Sequence, residues 1–249
     1  MSKELKVEKP VKKEKVAIVG FAGSRDQAPY DNPEFEIWSV NNLHKFIPRT
    51  DRVFQIHQRS EWEVNDLHGF PGADHLEWLK TCGIPVYTIE KYDDVPTSIK
   101  FPLDELVEEF GIPRLKTKVK DGYFTNSISF MIALAIYEGF KEIHVYGVDM
   151  AVMSEYNEQR PSCEYYLGIA KGRGIDVYLP TDSDLLKTRY IYGYEYEEQK
   201  AWDLKVQKTL EQMQARKRES DALIRNQQSV SDKYEGAISA VMEMNKTWG

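Results

Sequence analysis

The chain has 249 residues, of which 41% are hydrophobic and 29% charged, and its formal net charge at pH 7 is −7. That length can bury a substantial core and carry an appendage, while the acidic balance argues against general nucleic-acid binding. Cys82 and Cys163 are its only cysteines, too few for a disulfide framework or a zinc site, so a reducing, cytoplasmic compartment is expected.

The opening stretch "MSKELKVEKPVKKEKVAIVG" holds six lysines and three glutamates with no apolar segment before the first strand. It does not read as a signal peptide, and residues 1–14 are expected to form a flexible basic arm. No apolar run reaches the roughly 18 residues that a membrane span requires. A first strand is expected over 15–20, ending in Gly20 and the small-residue turn Ala22-Gly23-Ser24-Arg25. This loop fits neither G-x-G-x-x-G nor the P-loop, and Pro29 and Pro33 follow at once, so the first crossover carries a short helical turn at best.

Two further β-rich runs follow, "FEIWSVNN" (35–42) and "DRVFQIH" (51–57), and then a short helix in "ADHLEWLKTCG" (73–83) and a strand in "IPVYTIE" (84–90). Residues 91–124 read as irregular apart from the helical spacing of "LDELVEEFG" (103–111). The clearest unit is "TNSISFMIALAIYEGF" (125–140), a buried helix closing near Gly139, followed by the strand "KEIHVYGVDM" (141–150). "SEYNEQRPSCEYY" (154–166) reads as a polar loop, and "CEYYLGIAKGRGIDVYLP" (163–180) repeats the helix–glycine–strand pattern.

Helices alternating with β-branched strands indicate a mainly parallel sheet covered on both faces, an α/β Rossmann-like domain over 15–193. Residues 194–249 change character: there is no proline, and Leu210, Met213, Ile224, Tyr234, Ile238 and Val241 follow a 3–4 spacing interrupted by Lys217, Ser220, Gln227 and Ser231. This segment is expected to form a helical arm or hairpin, two helices broken near 226–231, that packs on the domain or joins copies into a homo-oligomer.

Ligands of open α/β sheets lie beyond the carboxyl ends of the strands. That rule gathers Gly20 to Arg25 from strand one, Asn41 and Asn42 from strand two, His57 from strand three and Asp149 from the late strand. Ser24 and Arg25 suit an anion, and the two asparagines offer donor and acceptor atoms to a base edge or a sugar hydroxyl. Thr125, Asn126 and Ser127 cap a helix whose free amides also face that edge. His57 is the best-placed general base, with Asp149 as the other catalytic candidate; one aspartate makes no metal motif. Arg160 suits a phosphate or carboxylate, and the hydroxyl of Tyr156 or Tyr165 a leaving phosphate. His44, His68, His75 and His144 show no ligand-like pairing and read as structural or surface residues.

"SFMIALAIYEGFKEIHVYGVDM" resembles the helix–strand signature of bacterial sialyltransferases that use a CMP-activated sugar, and of hydroxymethylpterin-diphosphokinase-like proteins. "VAIVGFAGS" stands where they carry a G-N-G-P-S-type loop, "WSVNN" and "DRVFQIH" resemble their next two strands, and "GIDVYLP" their last. The similarity covers about residues 15–185 and is nearest to unassigned bacteriophage proteins, which implies a host-cytoplasmic location. It implies a nucleotide or nucleotide-sugar donor, possibly CMP-linked, held by Gly20, Ala22, Gly23, Asn41, Asn126 and Ser127, with Tyr156 or Tyr165 near the phosphate. The chain departs from the family in two places: its first loop lacks the asparagine and proline, and no histidine follows His144. Three functions remain open: a glycosyltransferase-like enzyme, a non-catalytic nucleotide-binding module, and an assembly protein acting through its C-terminal helices.

Overall fold

The computed structural model describes residues 13–64, 72–111, 122–151, 155–188, 191–193 and 199–248. The chain divides into two compact units, the first reaching Lys187 and the second beginning at Thr188.

The first unit is built on seven parallel strands: β1 (Lys15–Val19), β2 (Phe35–Val40), β3 (Arg52–Gln55), β4 (Val86–Thr88), β5 (Ser98–Lys100), β6 (Glu142–Tyr146) and β7 (Asp176–Tyr178). Their order is β5-β4-β3-β2-β1-β6-β7. The chain runs outward from β1 to β5 and then returns to lay β6 on the other side of β1, so the topological switch point lies between β1 and β6. The α/β Rossmann-like architecture is therefore as expected. The short strand β5 lies inside a segment expected to be irregular; three residues leave little periodicity to read.

Among the described residues, five α-helices belong to this unit: α1 (Arg59–Val64), α2 (Gly72–Thr81), α3 (Leu103–Phe110), α4 (Ser127–Glu138) and α5 (Arg160–Gly172). Val16, Ile18, Trp38, Val40, Phe54, Ile143 and Val145 point to one sheet face and pack with the buried residues of α3, α4 and α5. On the other face, Val53 and Val86 pack with Trp62 of α1 and Leu79 of α2. Ala17, Val19, Ile37 and Tyr146 on that face are closed by Ala28, Leu43, Tyr30 and Ile47, which come from connecting turns. Helix α4 is apolar almost all round because it is the central buried helix. It ends at Gly139, whose left-handed backbone (φ 81°) closes the helix. Arg52 ties β2, β3 and α4 together: it pairs with Glu36, donates to both carboxylate oxygens of Glu138 at 2.7 and 2.9 Å, and lies over the Trp38 ring.

Two expectations are corrected. Within the stretch 154–166, the described residues from Glu155 on do not form a loop: a π-helical turn, Glu155–Gln159, leads into α5, with Pro161 in the first helical turn, where a missing N–H costs nothing. The C-terminal segment is neither a hairpin nor two helices but one helix, α6 (Gln199–Trp248), of 50 residues. Without proline, the single Gly236 costs about 1 kcal/mol and does not break it. Among the described residues, no helix is long and apolar enough to cross a membrane.

Candidate functional site

The switch point is pinned by backbone. Gly20 N–H donates to the Tyr146 carbonyl at 2.8 Å, and Ala22 N–H donates to the Gly147 carbonyl at 2.8 Å. Gly147 N–H donates to the Oγ of Ser24, also at 2.8 Å. The chains are so close that a Cβ on Gly20 would stand 2.5 Å from the Gly147 oxygen. Gly147 itself has φ 64°, so glycine serves there twice, for the turn and for the approach. Ser24 is thereby a buried strut. Arg25 folds back on its own loop, where Nη1 donates to the Phe21 carbonyl at 2.6 Å and the guanidinium lies over Phe46. Gly23 is exposed and opens a 3-10 turn, Gly23–Gln27, the short turn expected of this crossover.

Beside this lies the end of β2. Asn41 starts a 3-10 turn, Asn41–Lys45, with a left-handed backbone (φ 48°), a conformation that asparagine tolerates better than most residues. It is 9% exposed, and its Oδ1 is buried without a hydrogen-bond partner. Asn42 is buried next to it. Past β3, His57 Nδ1 stands 3.5 Å from Glu61 Oε2 one turn along, at the head of α1, and Trp62 Nε1 donates to the His57 carbonyl at 3.3 Å.

On the other side of the switch point, the segment after β7 straps the loop after β6. Asp184 N–H donates to the Asp149 carbonyl at 3.0 Å, and Ser183 Oγ donates to the Val148 carbonyl at 2.7 Å. Asp149 is half-buried, with Lys187 near enough for their charges to interact. Helices α4 and α5 run antiparallel to the strands they precede, so both N-termini face this edge. Asn126 joins them: its Oδ1 accepts from Ser129 N–H at 3.0 Å, and its Nδ2 donates to the Gln159 carbonyl at 3.0 Å and to Ser162 Oγ at 3.2 Å. Asn126 is a cap and a clamp, with its amide spent inside the protein. Ser127, half-buried, is the first residue of α4.

Arg160 and Tyr165 do not join this group. Arg160 Nε donates to Glu164 at 2.7 Å and Nη2 to the Lys187 carbonyl at 2.6 Å. Tyr165 turns toward α3, donating to the Phe110 carbonyl at 3.2 Å among Tyr123 and Tyr166. Both lie on α5, where each residue of shift in the helix start turns a side chain by about 100°, so a loop expectation carries no information on which way they face. Tyr156 belongs to the π-helical turn, and its side chain lies outside the described residues, as does His68.

One polar group has no counterpart in the sequence reading. Gln55, the last residue of β3 and 1% exposed, accepts from His75 Nε2 of α2 at 3.0 Å. His75 Nδ1 in turn lies 3.0 Å from His44 Nε2, and the His44 ring stacks on Trp78 with centroids 3.5 Å apart and planes 6° from parallel. With Gln55 Oε1 as acceptor, His75 carries its proton on Nε2, and His44 Nε2–H donates to His75 Nδ1. Burial, helped by Lys45, pushes both rings down to about 4, so they are neutral at pH 7; for His44 the neighbouring His75 adds to this. The signal in the sequence was two i, i+3 pairs, Asn41 with His44 and His75 with Trp78, which nothing local shows to be partners.

No family model and no curated protein matches this sequence. Among solved structures, the chain is similar to the Campylobacter jejuni sialyltransferase CstII in complex with cytidine-5'-monophosphate, at 14% identity and a TM-score of 0.42, over 67% of this chain and 79% of that one. The CstII complex with CMP-3FNeuAc gives 15% identity, a TM-score of 0.43 and coverage of 67% and 80%. An α-2,3-sialyltransferase from the same organism in apo form gives 15%, 0.39 and coverage of 67% and 75%.

Proposed function

We propose that this protein is a nucleotide- or nucleotide-sugar-dependent transferase of the glycosyltransferase kind, with CMP-linked sugars among its candidate donors. The observation that carries the reading is Asn41: a buried amide oxygen without a partner, held in a left-handed turn beside the switch point of a parallel sheet. An unsatisfied buried acceptor costs about 1–3 kcal/mol, and a ligand N–H or O–H offsets that cost on binding. The sequence resemblance over residues 15–185 supports the same class.

In this reading the nucleotide lies across the ends of β3, β2, β1 and β6, three strand spacings or roughly 14 Å. Gly20, packed against Gly147, sets the floor of the site, Ala22 and the exposed Gly23 let the nucleotide approach the backbone, and Asn41 and Asn42 hold its base or sugar. The amides at the start of α4, with Ser127, receive the leaving phosphate at the positive end of a helix dipole. His57, oriented by Glu61, takes the proton from the acceptor hydroxyl as that oxygen attacks the anomeric carbon and the nucleotide leaves with its phosphate. Asp149 is the alternative base.

The test is calorimetric titration with CMP, UMP, AMP, GMP and their sugar conjugates, on the protein as it stands and on Asn41→Ala and Ser127→Ala. Binding weakened about tenfold or more in both variants is expected. Unchanged affinity in both would remove the site, and turnover of a bound donor that survives His57→Ala would remove His57 as the base.

A further inference from the structure

Gln55 stands one residue beyond Phe54, which pairs in register with Val40, just as Asn41 stands one residue beyond Val40. The two amides therefore end neighbouring strands about 4.8 Å apart. Their unused atoms are complementary: Asn41 keeps a buried acceptor, Oδ1, and Gln55 a buried donor, Nε2, neither with a partner. The orientation of Gln55 is not free, because the amide oxygen is taken by His75, which His44 and Trp78 hold in turn. Two elements interlock here: the turn after β2 supplies Asn41 and His44, and α2 supplies His75 and Trp78.

We propose that Asn41 and Gln55 together read the edge of a nucleobase, Asn41 Oδ1 accepting from its N–H donor and Gln55 Nε2 donating to the acceptor atom beside it. His75 and His44 are positioning residues that fix which atom Gln55 presents. This rests on the nucleotide reading above and adds the atoms that choose the base.

The experiment compares Kd values for CMP, UMP, AMP and GMP between the unmodified protein, Gln55→Met and Gln55→Glu. Loss of the donor in Gln55→Met weakens the preferred nucleotide at least tenfold and compresses the preference among bases; Gln55→Glu presents an acceptor and shifts the preference. His75→Phe reproduces the loss, and His75→Gln, which can still donate to Gln55, restores part of it; a merely structural role would not move the ranking. Should the variants fail to fold, the side-chain amide ¹⁵N–¹H signals of Gln55 in the unmodified protein give the answer, because they shift on nucleotide binding. Nucleotide binding that leaves those signals or the base ranking untouched overturns this assignment alone. No binding of any nucleotide overturns the assignment together with the function it rests on.

A second inference comes from α6. An apolar stripe at alternating steps of four and three runs through Val206, Leu210 and Met213, passes Ile224, and continues through Tyr234, Ile238 and Val241; every one of these side chains is exposed. The stripe ends at Trp248, which is also exposed. We infer that a second copy of this helix, parallel and in register, covers it as a two-stranded coiled coil. Eight apolar side chains at about 100 Å² each make roughly 1,600 Å² over two helices, the size of a standard specific interface. In that pairing Ser220, Gln227, Ser231 and Asn245 each meet their own copy, groups that both donate and accept, and so does Lys217, where the like charges cost some stability. Arg216 flanks Asp221 of the other copy, and Lys217 is already paired within its own helix with Asp221 at 3.1 Å.

Light scattering on the full chain is expected to give a dimer, and Ile224→Glu with Ile238→Glu a monomer whose first unit melts unchanged. Val206→Cys is expected to cross-link to its own copy under mild oxidation where the parent does not. A monomeric parent, or a dimer indifferent to the two glutamates, overturns the pairing; a dimer without the 206 cross-link overturns its parallel register.

Discussion

At the scale of single residues, the buried polar atoms are the informative ones. His44 and His75 are held neutral down to about 4, chiefly by burial. In the unfolded chain a histidine takes its proton near 6.5, so between these values the unfolded state binds more protons and stability rises with pH. Lowering the pH from 7 to 4.5 is therefore expected to lower the Tm, and His75→Asn to flatten that dependence, in melts run across the window. A slope identical in parent and variant would mean that the ring is not buried neutral. Gln55 and these histidines were illegible in the sequence because the contact joins positions 20 and 31 residues apart. The place of Asn41 directly after β2 was legible because the end of a parallel strand is a position the pattern itself defines. The partner of Arg160 was illegible for a related reason: the helix phase that turns it to Glu164 depends on where α5 begins.

At the scale of elements, the close approach of β1 and β6 makes a sharp comparison between two glycines. Gly139→Ala meets no atom and strains only a left-handed φ, a cost of about 1–2 kcal/mol and a Tm drop of some 2–8 °C. Gly147→Ala carries the same strain and also drives a methyl group into the Gly20 carbonyl, so its melt is expected to fall much further. Equal losses in the two variants would contradict the packed switch point. Arg52→Ala strands the Glu36 and Glu138 carboxylates beside the core and is expected to cost about 3–5 kcal/mol by denaturant titration. The long helices α4 and α5 were readable from their apolar spacing and glycine stops. The three-residue strand β5 and the six-residue helix α1 offer too few turns of any period to be seen.

At the scale of the whole molecule, the chain joins a sheet-based unit to a 50-residue helix. Every residue of the proposed nucleotide edge lies in the first unit, so on that proposal a chain ending at Lys187 is expected to bind nucleotide as the full chain does. The helix was seen in the sequence as a helical segment, but with Lys217, Ser220, Gln227 and Ser231 interrupting its apolar spacing a break was expected near 226–231. Within a helix those residues cost only tenths of a kcal/mol each, which does not interrupt it. In the proposed coiled coil they form the polar centre of the seam.

The central claim is that the carboxyl edge around Asn41 holds a nucleotide. Thermal melts of the parent and of Asn41→Ala with millimolar CMP, UMP, AMP and GMP test it most directly. A ligand at about 100 times its Kd stabilises the fold by roughly 2.7 kcal/mol. A base-selective rise in the Tm of the parent, absent from Asn41→Ala, is the predicted result. Equal melts with and without every nucleotide, or a rise that Asn41→Ala retains in full, would contradict it.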